Sequence, residues 1–168
     1  ITTAEADELI KALDAALGNE IRKFHTGISY RHCLIWKDGD EHYDFSRPHD
    51  IIGRCIRDYL PSEENGGAEF RALMKASYDI LNHHPVNEAR RARGLKPANT
   101  AWLWSPGKKP QLPNFKEKWG VNGAVISAVD LIKGIGLCAE MDVPDVEGAT
   151  GNVHTNFDGK TKAAIDAL

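Results

Sequence analysis

Apolar residues recur at helical intervals at the start of the chain: Ala6, Leu9, Ile10, Leu13, Ala16 and Leu17 share one face. Thr2 and Glu5 have the T-x-x-E spacing of a capping box and Gly18 follows the last apolar position, so a helix is predicted over 4–17. Residues 21–26 and 28–37 are rich in β-branched and aromatic side chains and read as two strands joined at Gly27. Asp38-Gly39-Asp40 is a turn signal, and 41–45 is expected to return as a short strand. Residues 46–66 look irregular, with room for a short helix over 51–59. Phe70, Leu73, Met74, Tyr78 and Leu81 predict a helix over 69–81. Pro85 opens a third helix over 86–93, which Gly94 ends. A strand over 98–104 is broken by Ser105-Pro106-Gly107, and 115–119 allows one helical turn. The tail then reads as a short apolar segment over 124–128, a helix over 129–140, a short strand near Val143, a loop over 148–151 and a helix from Gly159 onward. The class is mixed α+β or α/β, a compact sheet flanked by helices. The alternation is more regular from about residue 121, so 1–120 and 121–168 are read as two parts.

Composition narrows the function classes. The chain has 168 residues, 42% hydrophobic and 27% charged, an ordinary globular balance that excludes a disordered tail and a disulfide scaffold. No uncharged run approaches the length that spans a bilayer. Lys plus Arg is 21 against 24 Asp plus Glu, so no global basic field exists for nucleic acid. The charge is uneven, however. Arg90, Arg91, Arg93 and Lys96 stand together without an acid, a cluster suited to a small anion. Three cysteines without a C-x-x-C point to a reducing compartment, and a cytoplasmic location is expected. The start at Ile1 without Met, and the stop at Leu168 within a helical pattern, are read as signs of a piece cut from a longer protein.

Several positions carry candidate chemistry, each with a plainer alternative. Arg31 and His32 adjoin in a predicted strand, on opposite faces; they suit anion binding with proton transfer, or a packed residue beside a solvated one. Pro48-His49-Asp50 places an imidazole beside a carboxylate in a loop, a usual way to orient a histidine or bind a hydroxyl. Asn87 and Arg90, with Arg93 beyond them, share a helical face that can grip a carboxylate or phosphate, or be a solvated basic face. Trp102 and Trp104 alternate onto one side, for core packing or for a ligand. His83-His84 suits a helix end. Gly134-Ile135-Gly136 lacks the context of a dinucleotide fingerprint, and Gly148-Ala149-Thr150-Gly151 is a weak phosphate cradle. The chain has no self-contained metal motif.

Taken in order, these segments resemble one family. Ser29-Tyr30-Arg31-His32, Pro48-His49-Asp50-Ile51, and His84-Pro85-Val86-Asn87 with Arg90 and Gly94 are followed by Pro97-Ala98-Asn99 and Trp102-Leu103-Trp104. Leu112-Pro113-x-Phe115, Glu117-Lys118-Trp119-Gly120, Asp130-Leu131-Ile132-Lys133-Gly134, Gly148-Ala149-Thr150-Gly151 and Thr155-Asn156-Phe157 complete the set. The chain resembles the archaeal-type cofactor-independent phosphoglycerate mutases of the alkaline phosphatase superfamily.

The resemblance implies a phosphatase-like core with a nucleophilic Ser and two divalent metal ions (Mn, Zn or Mg), whose ligands would lie outside this chain. Residues 1–120 would be the substrate-binding domain inserted in that core, and 121–168 the remainder of the insert returning toward it. The activity implied is interconversion of 3-phosphoglycerate and 2-phosphoglycerate through a phosphoserine, and this piece alone is expected to be inactive. Partners would be a phosphorylated hydroxy acid and the phosphatase-like domain of the same chain, with no nucleic acid or membrane. The task suits His49 and Asp50 for hydroxyl contact or proton transfer, and Arg31 and Arg90 for carboxylate or phosphate, with His32 near the hydroxyls. Asn87, Asn99, Trp104 and Lys133 are further substrate-binding candidates. Ser105-Pro106-Gly107 stands where the family commonly has Gly-x-Gly, and His154 where it often has Asp. These departures leave open a related substrate, such as that of a homoserine kinase-like phosphoryl transferase. A stand-alone, non-catalytic anion-binding module is the third reading.

Overall fold

A computed structural model describes residues 1–168. The chain divides into two compact units, Ile1–Gly107 and Lys108–Leu168, a packing break earlier than the 120/121 division read from the sequence. No helix is long and apolar enough to cross a membrane.

The first unit opens with α1 (Thr3–Leu17), and the capping box forms as its spacing predicts. The Glu5 N–H donates to Thr2 Oγ1 at 3.2 Å, and the Thr2 N–H donates to Glu5 Oε2 at 3.1 Å. The face Ala6, Leu9, Ile10, Leu13 is buried. Strands β1 (Arg22–His25) and β2 (Cys33–Trp36) pair antiparallel with Phe24 opposite Leu34. Asp14 Oδ1 accepts the Phe24 N–H at 2.9 Å, tying β1 to α1. Helix α2 (Ala68–Leu81) and helix α3 (Pro85–Ala92) follow, the latter with Pro85 in its first turn and His84 as its N-cap. Leu9, Ile10, Leu13, Phe24, Leu73, Leu81 and Val86 form the core.

The expected compact sheet is only this two-stranded ribbon. Three predicted strand regions take other forms. Residues 28–32 turn instead of extending: Ser29 sits at φ 58° and the Arg31 N–H donates to Ile28 O at 3.0 Å. Arg31 and His32 therefore leave a turn rather than alternate on a strand. Residues 41–45 pack as rings, with Tyr43 and Phe45 both against Phe70 at 5.1 and 4.9 Å between centroids. Residues 98–104 stay extended but form no ladder, because side chains hold their backbone. Asn87 takes both the N–H and the C=O of Ala98, at 2.8 and 2.9 Å, and Ser77 Oγ accepts the Ala101 N–H at 2.9 Å. The helix allowed over 51–59 is a short 3₁₀ turn, Ile56–Tyr59, with another at Pro48–Asp50.

The second unit carries α4 (Phe115–Trp119), α5 (Asp130–Cys138) and α6 (Phe157–Asp166). The strand expected near Val143 is a single parallel bridge, Ala124 with Asp142. A Cβ on Gly136 would meet Val125 Cγ2 at 2.7 Å, so the glycine lets α5 approach that segment. The close approach accounts for this glycine without any nucleotide.

Candidate functional site

The Pro48–Asp50 turn is pinned by the buried Ile51, whose neighbour Ile52 is exposed. Pro48 fixes the first φ of the turn, and the Asp50 N–H closes it onto Arg47 O at 3.1 Å. His49 and Asp50 both face solvent. Their closest approach, Nε2 to Oδ1, is 3.9 Å, too long for a hydrogen bond. Asp50 therefore does not orient the imidazole, as their adjacency suggested. Trp104 does so instead: the two rings meet edge to face with centroids 5.3 Å apart. Trp102 Nε1 donates to Ser46 O at 2.8 Å. The alternation of the two indoles thus survives without a sheet, and both reach the 46–49 segment.

A cleft of about 410 Å³ opens beside this turn, lined by Asp44, Ser46, Arg47, Asp50, Arg54 and Tyr59 among others. A second cleft of similar size, with Asp40, His42, Asp58 and Trp102 in its wall, shares Asp44, Phe45, Ser46 and Tyr59 with the first. Arg31 and Arg90 line neither of the two. Arg47, Arg54 and Tyr59 were missed in the sequence. The signal was present in Arg47-Pro48-His49-Asp50-Ile51-Ile52-Gly53-Arg54, where arginines bracket the turn.

The other candidates lie elsewhere in the unit. Arg31 leaves the turn that Ser29 fixes, where the Ser29 N–H donates to Thr3 Oγ1 and its hydroxyl to Ile1 O. Arg31 Nε is buried without a partner, and the guanidinium lies 5.8 Å from the Tyr30 ring. His32 Nδ1 faces the Gly27 N–H at 3.2 Å, which favours a neutral ring protonated at Nε2. Desolvation lowers the His32 pKa, partly offset by a hydrogen bond to the Ser29 backbone. Asn99 Nδ2 reaches Asn82 Oδ1 at 3.4 Å.

Asn87 and Arg90 take a different role from the one the sequence suggested. Asn87 is fully buried, and its Nδ2 donates to Leu81 O at 2.8 Å as well as to Ala98 O. With Oδ1 taken by the Ala98 N–H, its amide is spent. Arg90 is buried too, with Nε on Lys96 O at 3.0 Å and Nη1 on Glu5 Oε2 at 2.7 Å. Arg93 holds the other Glu5 oxygen. The α3 face does grip a carboxylate, and that carboxylate belongs to α1. The Arg93 hydrogen bond first, then the Thr2 N–H and both guanidinium charges, lower the Glu5 pKa from 4.5 to about 2.

In the second unit Lys133 pairs with Asp145 and lowers that carboxyl's pKa, first by hydrogen bonding and then by its charge. Two amides of the loop over 148–151 are already taken. The Ala149 N–H goes to Val146 O and the Thr150 N–H to Thr155 Oγ1 at 2.8 Å, so these donors are not open to a phosphate. No three His, Cys, Asp or Glu side chains gather as metal ligands.

Fold and site together define a mixed α+β protein with a solvent-facing His-Asp turn, walled by tryptophan and arginine. Residues 1–87 match the family model described as 2,3-bisphosphoglycerate-independent phosphoglycerate mutase. The whole chain is 46% identical to a probable 2,3-bisphosphoglycerate-independent phosphoglycerate mutase of Geobacter sulfurreducens, and 49% identical to a 2,3-bisphosphoglycerate-independent phosphoglycerate mutase of Methanosarcina barkeri. In each case it spans 42% of the relative's length. A solved protein from Pyrococcus horikoshii matches 98% of this chain with a TM-score of 0.64 and 27% identity, over 39% of its own length. The solved cofactor-independent phosphoglycerate mutase of Thermoplasma acidophilum matches 96% of this chain with a TM-score of 0.54 and 30% identity, over 44% of its own length. The chain belongs to the 2,3-bisphosphoglycerate-independent phosphoglycerate mutase family.

Proposed function

We propose that this chain is the substrate-handling part of a longer phosphoglycerate mutase that interconverts 3-phosphoglycerate and 2-phosphoglycerate through a phosphoserine. The observation that carries this reading is the family match together with His49, Asp50 and Trp104 gathered at one solvent-facing turn. In this proposal the first unit presents the glycerate, and His49 and Asp50 contact its hydroxyls. Asn87 and Arg90 act as positioning residues: Asn87 holds the extended segment that delivers Trp104, and Arg90 ties α3 to α1. Arg31 remains a candidate for the anionic end, since its Nε has no partner within the protein.

The nucleophile and the ligands of two divalent ions would come from the rest of the longer chain, and the piece alone would be inactive. The length of the relatives supports this, and so does the surface of the second unit. Leu131, Leu137, Phe157 and Ile165 are 71%, 65%, 65% and 63% exposed, apolar area that the remainder of such a chain would cover. A cytoplasmic location belongs to the same proposal and is supported by three free cysteines.

The test is turnover of 3-phosphoglycerate by the complete polypeptide containing this segment, with enolase as the coupling enzyme. Interconversion that is abolished by a chelator and restored by a divalent cation is expected. A metal-loaded polypeptide that phosphorylates an amino alcohol and leaves phosphoglycerate untouched would overturn the reading.

A further inference from the structure

The cleft beside the Pro48–Asp50 turn holds two arginines with no carboxylate on them. Arg71, Arg90, Arg91 and Arg93 each pair with a glutamate, whereas Arg47 and Arg54 make no ion pair. A guanidinium has five N–H donors and cannot lose its charge, so two of them in one cleft are unspent capacity for an anion. Their placement is built by the backbone. Two successive turns, closed by Asp50 N–H to Arg47 O and by Arg54 N–H to Ile51 O at 3.0 Å, set one arginine at each end. Gly53 at φ 78° allows the second turn to close, a conformation a side chain would strain. Arg54 is held by one donor, Nη1 to Tyr59 Oη at 3.0 Å, which leaves the rest of its fork available.

Asp44 and Asp50 line the same cleft. A bare anion would meet these two carboxylates, so the cleft suits a ligand with both an anionic group and hydroxyl donors. The geometry points to Arg47 and Arg54 as the subsite for the anionic group of a hydroxy acid whose hydroxyls donate to Asp50. This rests on the proposal that the segment handles such a substrate, and it adds two specificity-determining residues to it. Each arginine supplies charge-assisted hydrogen bonds, so losing one is expected to weaken binding about tenfold or more.

The experiment uses the complete polypeptide and four variants: Arg47→Gln, Arg54→Gln, Tyr59→Phe, and Arg57→Gln as a control outside the cleft. KM for 3-phosphoglycerate, calorimetric affinity for 3-phosphoglycerate and thermal melting are read for each. A rise in KM of about tenfold or more in R47Q and R54Q is expected, with a smaller rise in Y59F and none in R57Q, at unchanged melting temperature. Unchanged KM in both arginine variants, with wild-type turnover intact, overturns the subsite and leaves the function standing. If the wild type does not turn over phosphoglycerate, the calorimetry decides. Binding that R47Q and R54Q lose supports the subsite although the function fails, while binding that they retain, or no binding by the wild type, overturns the subsite.

Discussion

Two arginine-rich stretches of the first unit look alike in sequence and behave oppositely in the structure. Residues 90–96 have the denser positive charge, a cluster suited to a small anion. The guanidinium groups of Arg90 and Arg93 close on Glu5, a residue 85 positions from Arg90, and Arg90 is buried in the process. Residues 47–54 carry only two arginines, and both stay exposed at a cleft without a carboxylate partner. Charge density along the chain therefore does not tell a structural tie from a ligand site. What tells them apart is whether the fold has already supplied the counter-charge. A cation that has been paired internally stabilises, and one left unpaired beside a cavity is available to a substrate.

The largest loss of stability is expected at Asn87. Asn87→Ala removes three hydrogen bonds from a fully buried site and strands both backbone groups of Ala98, so a loss of about 3 kcal/mol in urea unfolding is expected. Trp104 follows on the same segment, so its ring contact with His49 should be disturbed with it. Arg90→Ala should lower the melting temperature by less, since Arg93 still holds Glu5. Arg54→Gln should leave it unchanged, because that side chain makes no ion pair and its one hydrogen bond, to Tyr59, is exposed.

Acid unfolding sharpens the contrast further. The Glu5 pKa falls from 4.5 in the unfolded chain to about 2 in the folded protein, so the folded state favours the ionised carboxylate. Its contribution is full above pH 4.5 and is lost as pH falls toward 2. Glu5→Gln should flatten the acid limb of a stability-against-pH curve in that window. A curve identical to the wild type would remove Glu5 as the internal partner. A small effect on stability is expected of His49→Gln. Its exposed ring touches Trp104 only by an edge, so stability should change by less than about 0.5 kcal/mol while turnover by the complete polypeptide is lost.

Local rules account well for the helices and poorly for the extended segments. The Thr2–Glu5 capping box, the apolar stripe of α1 and the Pro85 start of α3 are contained within a few neighbouring residues, so they were legible. Residues 98–104 have the composition of a strand and adopt its extension, but their backbone partners are the side chains of Asn87 and Ser77. No period in the sequence encodes that clamp. Residues 28–32 fail for another reason. Ser29 adopts a left-handed conformation held by Ile1 and Thr3, contacts 28 and 26 positions away. In the site, the Pro-His-Asp turn was legible because its three residues are consecutive. The Trp104 wall and the Glu5 partner were not, because each comes from far along the chain. Arg47 and Arg54 bracket that turn in the sequence, but nothing local to them says that the fold leaves both without a carboxylate.

Which arginines would meet the proposed substrate is addressed directly by one measurement. Calorimetric affinity of the complete polypeptide for 3-phosphoglycerate should be compared between Arg54→Gln and Arg93→Gln, two exposed arginines in the two stretches. The account predicts that R54Q loses about tenfold or more while R93Q binds as the wild type does. Loss in R93Q with R54Q unaffected would contradict it and return the ligand to the α3 face.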